Sequence, residues 1–130
     1  MLQDFEGSCH CGRVRFRVRA DLDTIGECNC SIRMKKGILH LGAAREDFTL
    51  LSGEDALETY QFNTKTAQHI FCRHCGIHAY GVPRIHPDRV TVNARCLNGV
   101  DLARLTPKRH FDGRNWEDAA RARRAEEQRG

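Results

Sequence analysis

The stretch FCRHCG, Phe71 to Gly76, holds two cysteines with two residues between them and a glycine directly after. A Cys-x-x-Cys turn aims two thiolates at one point, and a zinc ion accepts four such sulfurs in a tetrahedron. Glycine after the second cysteine permits the positive φ that lets backbone N–H groups approach the sulfurs. SCHCG, Ser8 to Gly12, is a tighter relative: Cys9 and Cys11, then Gly12, then a strand-like run. Two matching knuckles far apart in sequence commonly meet around one structural zinc. Cys9, Cys11, Cys72 and Cys75 are therefore assigned to one closed four-cysteine site, whose binding free energy is folding free energy. His10 and His74, inside the knuckles, are expected to point outward.

The segments around the knuckles read as short strands. GRVRFRVRA, Gly12 to Ala20, sets Val14, Phe16 and Val18 on one face and Arg13, Arg15, Arg17 and Arg19 on the other. That period of two marks a half-buried strand with a solvated arginine face. ILHLGA near Ile38, DFTLLSG (Asp47 to Gly53), LETYQF, AQHIFC, IHAYGVP and RVTVNARCL add further strands, with RIHPD as a turn. Helix is expected only in the tail NWEDAARARRAEEQRG, where Asn115 is placed as its cap. Almost no apolar stripe follows Trp116, so residues 117–130 read as a solvated, fraying helical tail without a function of its own. The expectation is one mainly β domain over 1–130, built of several short antiparallel strands with a C-terminal helix.

Composition agrees with a single core: 130 residues, 40% hydrophobic and 29% charged, with net charge +4. No apolar run approaches the ~20 residues needed to cross a bilayer, and no membrane partner is expected. MLQDFEGSCHCG lacks an apolar signal region, so a cytoplasmic location is expected. Seven cysteines is an odd number, which argues against a fully paired disulfide framework. In a reducing compartment, clustered cysteines point to metal or catalysis. No basic cluster is interleaved with aromatics, and RARR in the tail is flanked by acidic residues, so a nucleic-acid partner is not expected.

CNCSIRMKKGILH, Cys28 to His40, contains the third cysteine pair. Cys28 and Cys30 lack the following glycine, so they make a different kind of site. Catalytic zinc usually has three protein ligands and one open position, and two thiolates are too few. His40 and His78 could in principle add a ligand, though nothing in their spacing demands it. Cys96, in NARCL, reads as a small buried hydrophobe. Asn93 and Arg95 beside it share one strand face, placed to orient a ligand or to hydrogen-bond a neighbouring loop.

Taken in order, GSCHCGRV, CNCSI followed by KKG, YQFNT, FCRHCG, VNARCL and FDGRNWE resemble the glutathione-dependent formaldehyde-activating enzymes, a family that also contains centromere protein V. The resemblance runs from about Gly7 to Trp116, and the variant motifs are similar to the centromere-protein branch. It implies an Mss4-like zinc-stabilised β fold and a structural zinc on Cys9, Cys11, Cys72 and Cys75. It also implies a second, catalytic zinc in a C-x-C-x-x-C loop. Cys28 and Cys30 match the first two ligands, and the third falls on Arg33, which stays protonated and cannot ligate. In the family scheme that second zinc holds the glutathione sulfur as a thiolate, which adds to formaldehyde in a carbon–sulfur lyase reaction. The resemblance thus implies a lyase acting on adducts of glutathione, or a similar small thiol, with formaldehyde or another aldehyde. Cys28 and Cys30 would be its metal or thiol ligands, Asn93 and Arg95 its substrate-orienting groups, and Arg33 a partner for a carboxylate of the thiol. The alternative is a catalytically lapsed, zinc-stabilised interaction module, which the Arg33 replacement favours. Three arrangements of the second site stay open: empty with Arg33 pairing the thiolates, filled when a substrate thiol supplies the third sulfur, or completed by another side chain.

Overall fold

Alternation becomes strand where one face can be buried. The structure, a computed structural model, describes residues 1–129. β1 (Gln3–Ser8) and β2 (Arg15–Ala20) pair antiparallel, with Phe16, Val18 and Ala20 buried and the intervening arginines exposed. Opposite charges face across this pair, Arg19 in register with Asp4 and Arg17 with Glu6, which keeps the arginine row a solvated face. β5 (Phe48–Ser52) completes a three-stranded sheet on the other side of β2.

The second sheet has seven strands. From one edge to the other they are β10 (Arg109–Phe111), β3 (Gly26–Cys28), β4 (His40–Ala44), β9 (Arg89–Asn93), β8 (His78–Val82), β7 (Gln68–Cys72) and β6 (Leu57–Tyr60). Val14, Phe16, Val18, Ile25, Leu41 and Val92 are fully buried in the shared core. Phe48 links the sheets, its ring 5.6 Å from Phe16 and 4.6 Å from Tyr80. The architecture is mainly β, as the sequence led us to expect, with one parallel pair among the antiparallel ones: β10 runs parallel to β3. Its register is set where the N–H groups of Lys108 and Arg109 both reach the Ile25 carbonyl, at 2.7 and 3.2 Å.

Two helical features depart from the sequence reading. A short helix α1 (Ser31–Lys36) follows Cys30 and ends at Gly37, whose φ of 67° closes it. At the C-terminal end, a 3₁₀ turn (Gly113–Asn115) runs directly into α2 (Trp116–Arg129). Asn115 is therefore already helical and not the cap, and its Nδ2 donates to Asp112 Oδ2 at 2.8 Å. The helix is also not a free tail. Ala120 is 1% exposed. The Arg84 guanidinium lies 3.6 Å from the Trp116 ring centre and reaches Glu117 at 3.0 Å. Among the described residues, no helix is long and apolar enough to cross a membrane.

Candidate functional site

The two knuckles meet. The Sγ atoms of Cys9, Cys11, Cys72 and Cys75 all lie within 4.8 Å of one another. Cys11 Sγ is 3.6 Å from both Cys9 Sγ and Cys72 Sγ, and the Val14 N–H donates to Cys9 Sγ at 3.3 Å. Gly12 and Gly76 take φ of 82° and 79°, the left-handed turns that the knuckle pattern requires. His10 and His74 are exposed, and neither joins the four sulfurs. Burial pushes the Cys9 thiol up to about 11. The Arg13 backbone N–H and then its guanidinium pull Cys11 down to about 6. Four thiols this close cannot all ionise without a cation among them, and a divalent ion allows that. The group can hold a metal ion.

A cavity of about 690 Å³ opens on the other side of the large sheet. Cys28 and Cys30 lie on its wall, with Arg33 of α1 and His40 of β4. Gly113, before α2, presses against the pair: a Cβ there would lie 2.6 Å from Cys28 Sγ and 2.7 Å from Cys30 Cβ. The two thiols shift each other in opposite directions. The hydrogen bond with Cys30, and then burial, pushes Cys28 far above the ordinary thiol range. The Cys28 thiol pulls Cys30 down to about 6 against the opposing effect of burial, helped by the Arg33 backbone N–H and charge.

His40 shows how closely this wall is built. It faces Gly26 in the β3–β4 register. A Cβ on residue 26 would lie 2.5 Å from His40 Cε1, so glycine is what lets the ring lie against the strand. Burial, and then the Arg33 charge, holds the imidazole down to about 4, so it is neutral at pH 7. The Glu27 backbone beside the ring opposes that shift. Its Nε2 is buried with no partner in the protein. A neutral imidazole protonated at Nδ1 presents a bare acceptor at Nε2. His69, also on the wall, is pulled down to about 4 by burial and then by Arg33.

The second zinc implied by the family resemblance does not fit these residues. Cys28 and Cys30 offer two sulfurs, and Arg33 stands at the third position. Neither His40 nor His78 joins them, because among the described residues no group of three or more Cys, His, Asp or Glu donors gathers within ligand range except the four-cysteine one. Asn93 and Arg95, expected to orient a substrate, stand apart from this cavity. Asn93 is buried, its Nδ2 donating to the His78 carbonyl at 3.0 Å and its Oδ1 accepting from Arg95 N–H at 3.1 Å. Arg95 is exposed, and neither residue lines the cavity. Cys96 is a buried thiol, raised to about 11 by burial and facing the His78 carbonyl at 3.5 Å.

What sequence reasoning missed is the charge of the cavity. Arg33, Arg84, Arg89, Arg109, Arg114 and Arg123 all line it. They come from α1, the loop and strand after β8, β10, the turn before α2, and α2 itself, so no spacing in the chain announces them. Phe62, Phe111 and Trp116 add aromatic surface. The C-terminal helix, expected to have no role, forms part of the wall through Trp116, Arg123 and Glu127.

Residues 4–112 match the family model described as glutathione-dependent formaldehyde-activating enzyme. The chain is also similar to a Rhodobacter sphaeroides protein whose crystal structure was solved in a structural-genomics programme. The two share 33% sequence identity at a TM-score of 0.76, over 82% of this chain and 99% of the other.

Proposed function

The chain belongs to the family of glutathione-dependent formaldehyde-activating enzymes, and from that premise we propose that it is a carbon–sulfur lyase-like enzyme. It would form or split the adduct of a small anionic thiol, glutathione or a similar one, with formaldehyde or another aldehyde. The observation that carries this reading is the Cys28–Cys30 pair on the wall of an arginine-lined cavity of about 690 Å³, a volume suited to a small ligand. The metal proposed for Cys9, Cys11, Cys72 and Cys75 is zinc, since four thiolates in a tetrahedron suit it. It would close the two knuckles and stabilise the fold. The proposed setting is the cytoplasm, where reducing conditions keep thiols free, and all seven cysteines here are free.

The overall step forms one S–C bond, converts the carbonyl π bond to a hydroxyl and moves the thiol proton to that oxygen. The chain's own groups serve it in three ways. Guanidinium groups bind the anionic ends of the thiol, Arg33 being the one beside Cys30. The same positive charge lowers the pKa of a bound thiol and favours its nucleophilic thiolate. His40, neutral on the same wall, bounds the space in which the adduct's oxygen sits.

A second reading, a zinc-stabilised binding module without turnover, is favoured by Arg33 and by the missing third donor. The rate of hemithioacetal formation separates the two when measured against the uncatalysed background. A rate above background that falls at least tenfold in Cys30→Ser supports the enzyme. No excess rate in the wild type, with a gain in Arg33→Cys, establishes the lapsed module.

A further inference from the structure

The charge of the cavity is one-sided. Six arginines line it against a single carboxylate, Glu127. That carboxylate is already engaged, its Oε1 lying 3.0 Å from His86 Nε2. Two of the arginines are also engaged. Arg84 pairs with Glu117, and Arg114 donates to the Asn29 carbonyl at 2.9 Å and lies 2.9 Å from Met34 Sδ. Arg33, Arg89, Arg109 and Arg123 have no acidic partner among the ion pairs of the described residues. Four unpaired guanidiniums around one space attract anions and repel cations, and a concave cavity screens that less than open water does. Planar guanidinium groups also favour carboxylates, phosphates and sulfonates, which they can grip at two points.

Glutathione carries two carboxylates and one ammonium group. The ammonium would enter a space with no free carboxylate to receive it. We propose that the thiol held here carries at least two anionic groups and no ammonium group. This inference rests on the reading of the cavity as a thiol site, and it narrows the thiol of that reading from glutathione itself to a similar thiol without the ammonium group. Carboxylate, phosphate and sulfonate thiols all satisfy it.

N-acetylglutathione tests the point, because acetylation removes the ammonium charge and leaves the rest of glutathione in place. Calorimetric titration of the metal-loaded protein with both thiols is expected to show N-acetylglutathione bound at least tenfold more tightly. Arg109→Glu and, separately, Arg123→Glu bring a carboxylate into the cavity, and each should reduce that preference to under threefold. Two variants on different elements guard against one of them undocking α2. Equal affinities, or tighter binding of glutathione, overturn the proposal. Turnover with formaldehyde, measured on the same samples, tests the underlying reading separately. Turnover with no preference between the thiols sinks only the charge inference. A tenfold preference with no turnover from either thiol supports the charge inference and removes the lyase.

Discussion

Replacing Gly26 by alanine should move His40, and the size of the effect follows from the geometry. The new Cβ would lie 2.5 Å from Cε1 and 3.0 Å from Nε2 of the His40 ring, well inside contact distance. The ring is half-buried, and moving it off the strand gives up its packing there. Overpacking of this kind costs about 1–3 kcal/mol. Losing a glycine from a strand returns roughly 0.5–1 kcal/mol, since alanine gives up less backbone freedom on folding. The net loss is about 1–2 kcal/mol, which for this chain length lowers Tm by roughly 3–10 °C. In a His40→Ala background the clash is gone, and Gly26→Ala should then stabilise by about 0.5–1 kcal/mol. The sign of the substitution thus reverses, giving a coupling of about 2 kcal/mol in a double-mutant cycle followed by denaturant unfolding. A Gly26→Ala protein as stable as the wild type, or the same change in both backgrounds, would refute the packing argument. Loss of the excess rate in Gly26→Ala would further place the ring, and not only its chemistry, in the proposed reaction.

Other outcomes are expected from the same structure. Cys75→Ser removes one of four sulfurs from a site whose metal contributes ~10–16 kcal/mol in structural zinc sites. Against a typical net stability of ~5–15 kcal/mol this variant should show no cooperative melt by circular dichroism, and chelator should do the same to the wild type. Acidification should destabilise the fold between pH 6.5 and about 4. The folded-state values of His40 and His69 lie near 4 and that of His78 near 3, below the ordinary 6.5, so the unfolded chain binds protons first and stability falls as pH falls through this window. His69→Gln should reduce that slope by up to roughly 1.4 kcal/mol per pH unit in urea melts taken from pH 4.5 to 7. Arg84→Ala loses the stack on Trp116 and the pair to Glu117. Hydrogen exchange of α2 amides should then accelerate by about 2- to 30-fold, the equivalent of roughly 0.5–2 kcal/mol, and unchanged exchange would mean that other contacts hold the helix.

The parts of the fold that were legible are those where local chemistry decides the outcome. Gly12 and Gly76 each follow a cysteine and each adopt the positive φ that a knuckle needs. Val14, Phe16 and Val18 alternate with arginines and are buried as that period requires. The β1 strand QDFEGS was not read, because its charged residues face solvent and only its pairing with β2 makes it a strand. The helix after Cys30 was missed because SIRMKK is short and has no buried residue to give a period. Asn93 was ambiguous because a polar residue beside a strand looks the same whether it faces a ligand or caps the next turn, and here it caps the turn. Least legible of all was the arginine-lined cavity. Its members are brought together only by the order of strands in the large sheet and by the docking of α2, and neither is a property of any local stretch.

The central claim is that this chain holds one metal ion in a closed four-cysteine centre, while the Cys28–Cys30 pair faces a cavity without a second one. Zinc per chain, counted by elemental analysis of the wild type beside Arg33→Cys, tests that directly. One zinc in the wild type and two in the variant is the predicted result. Two zinc ions in the wild type would contradict it, and would mean that Cys28 and Cys30 recruit a ligand this geometry does not bring to them.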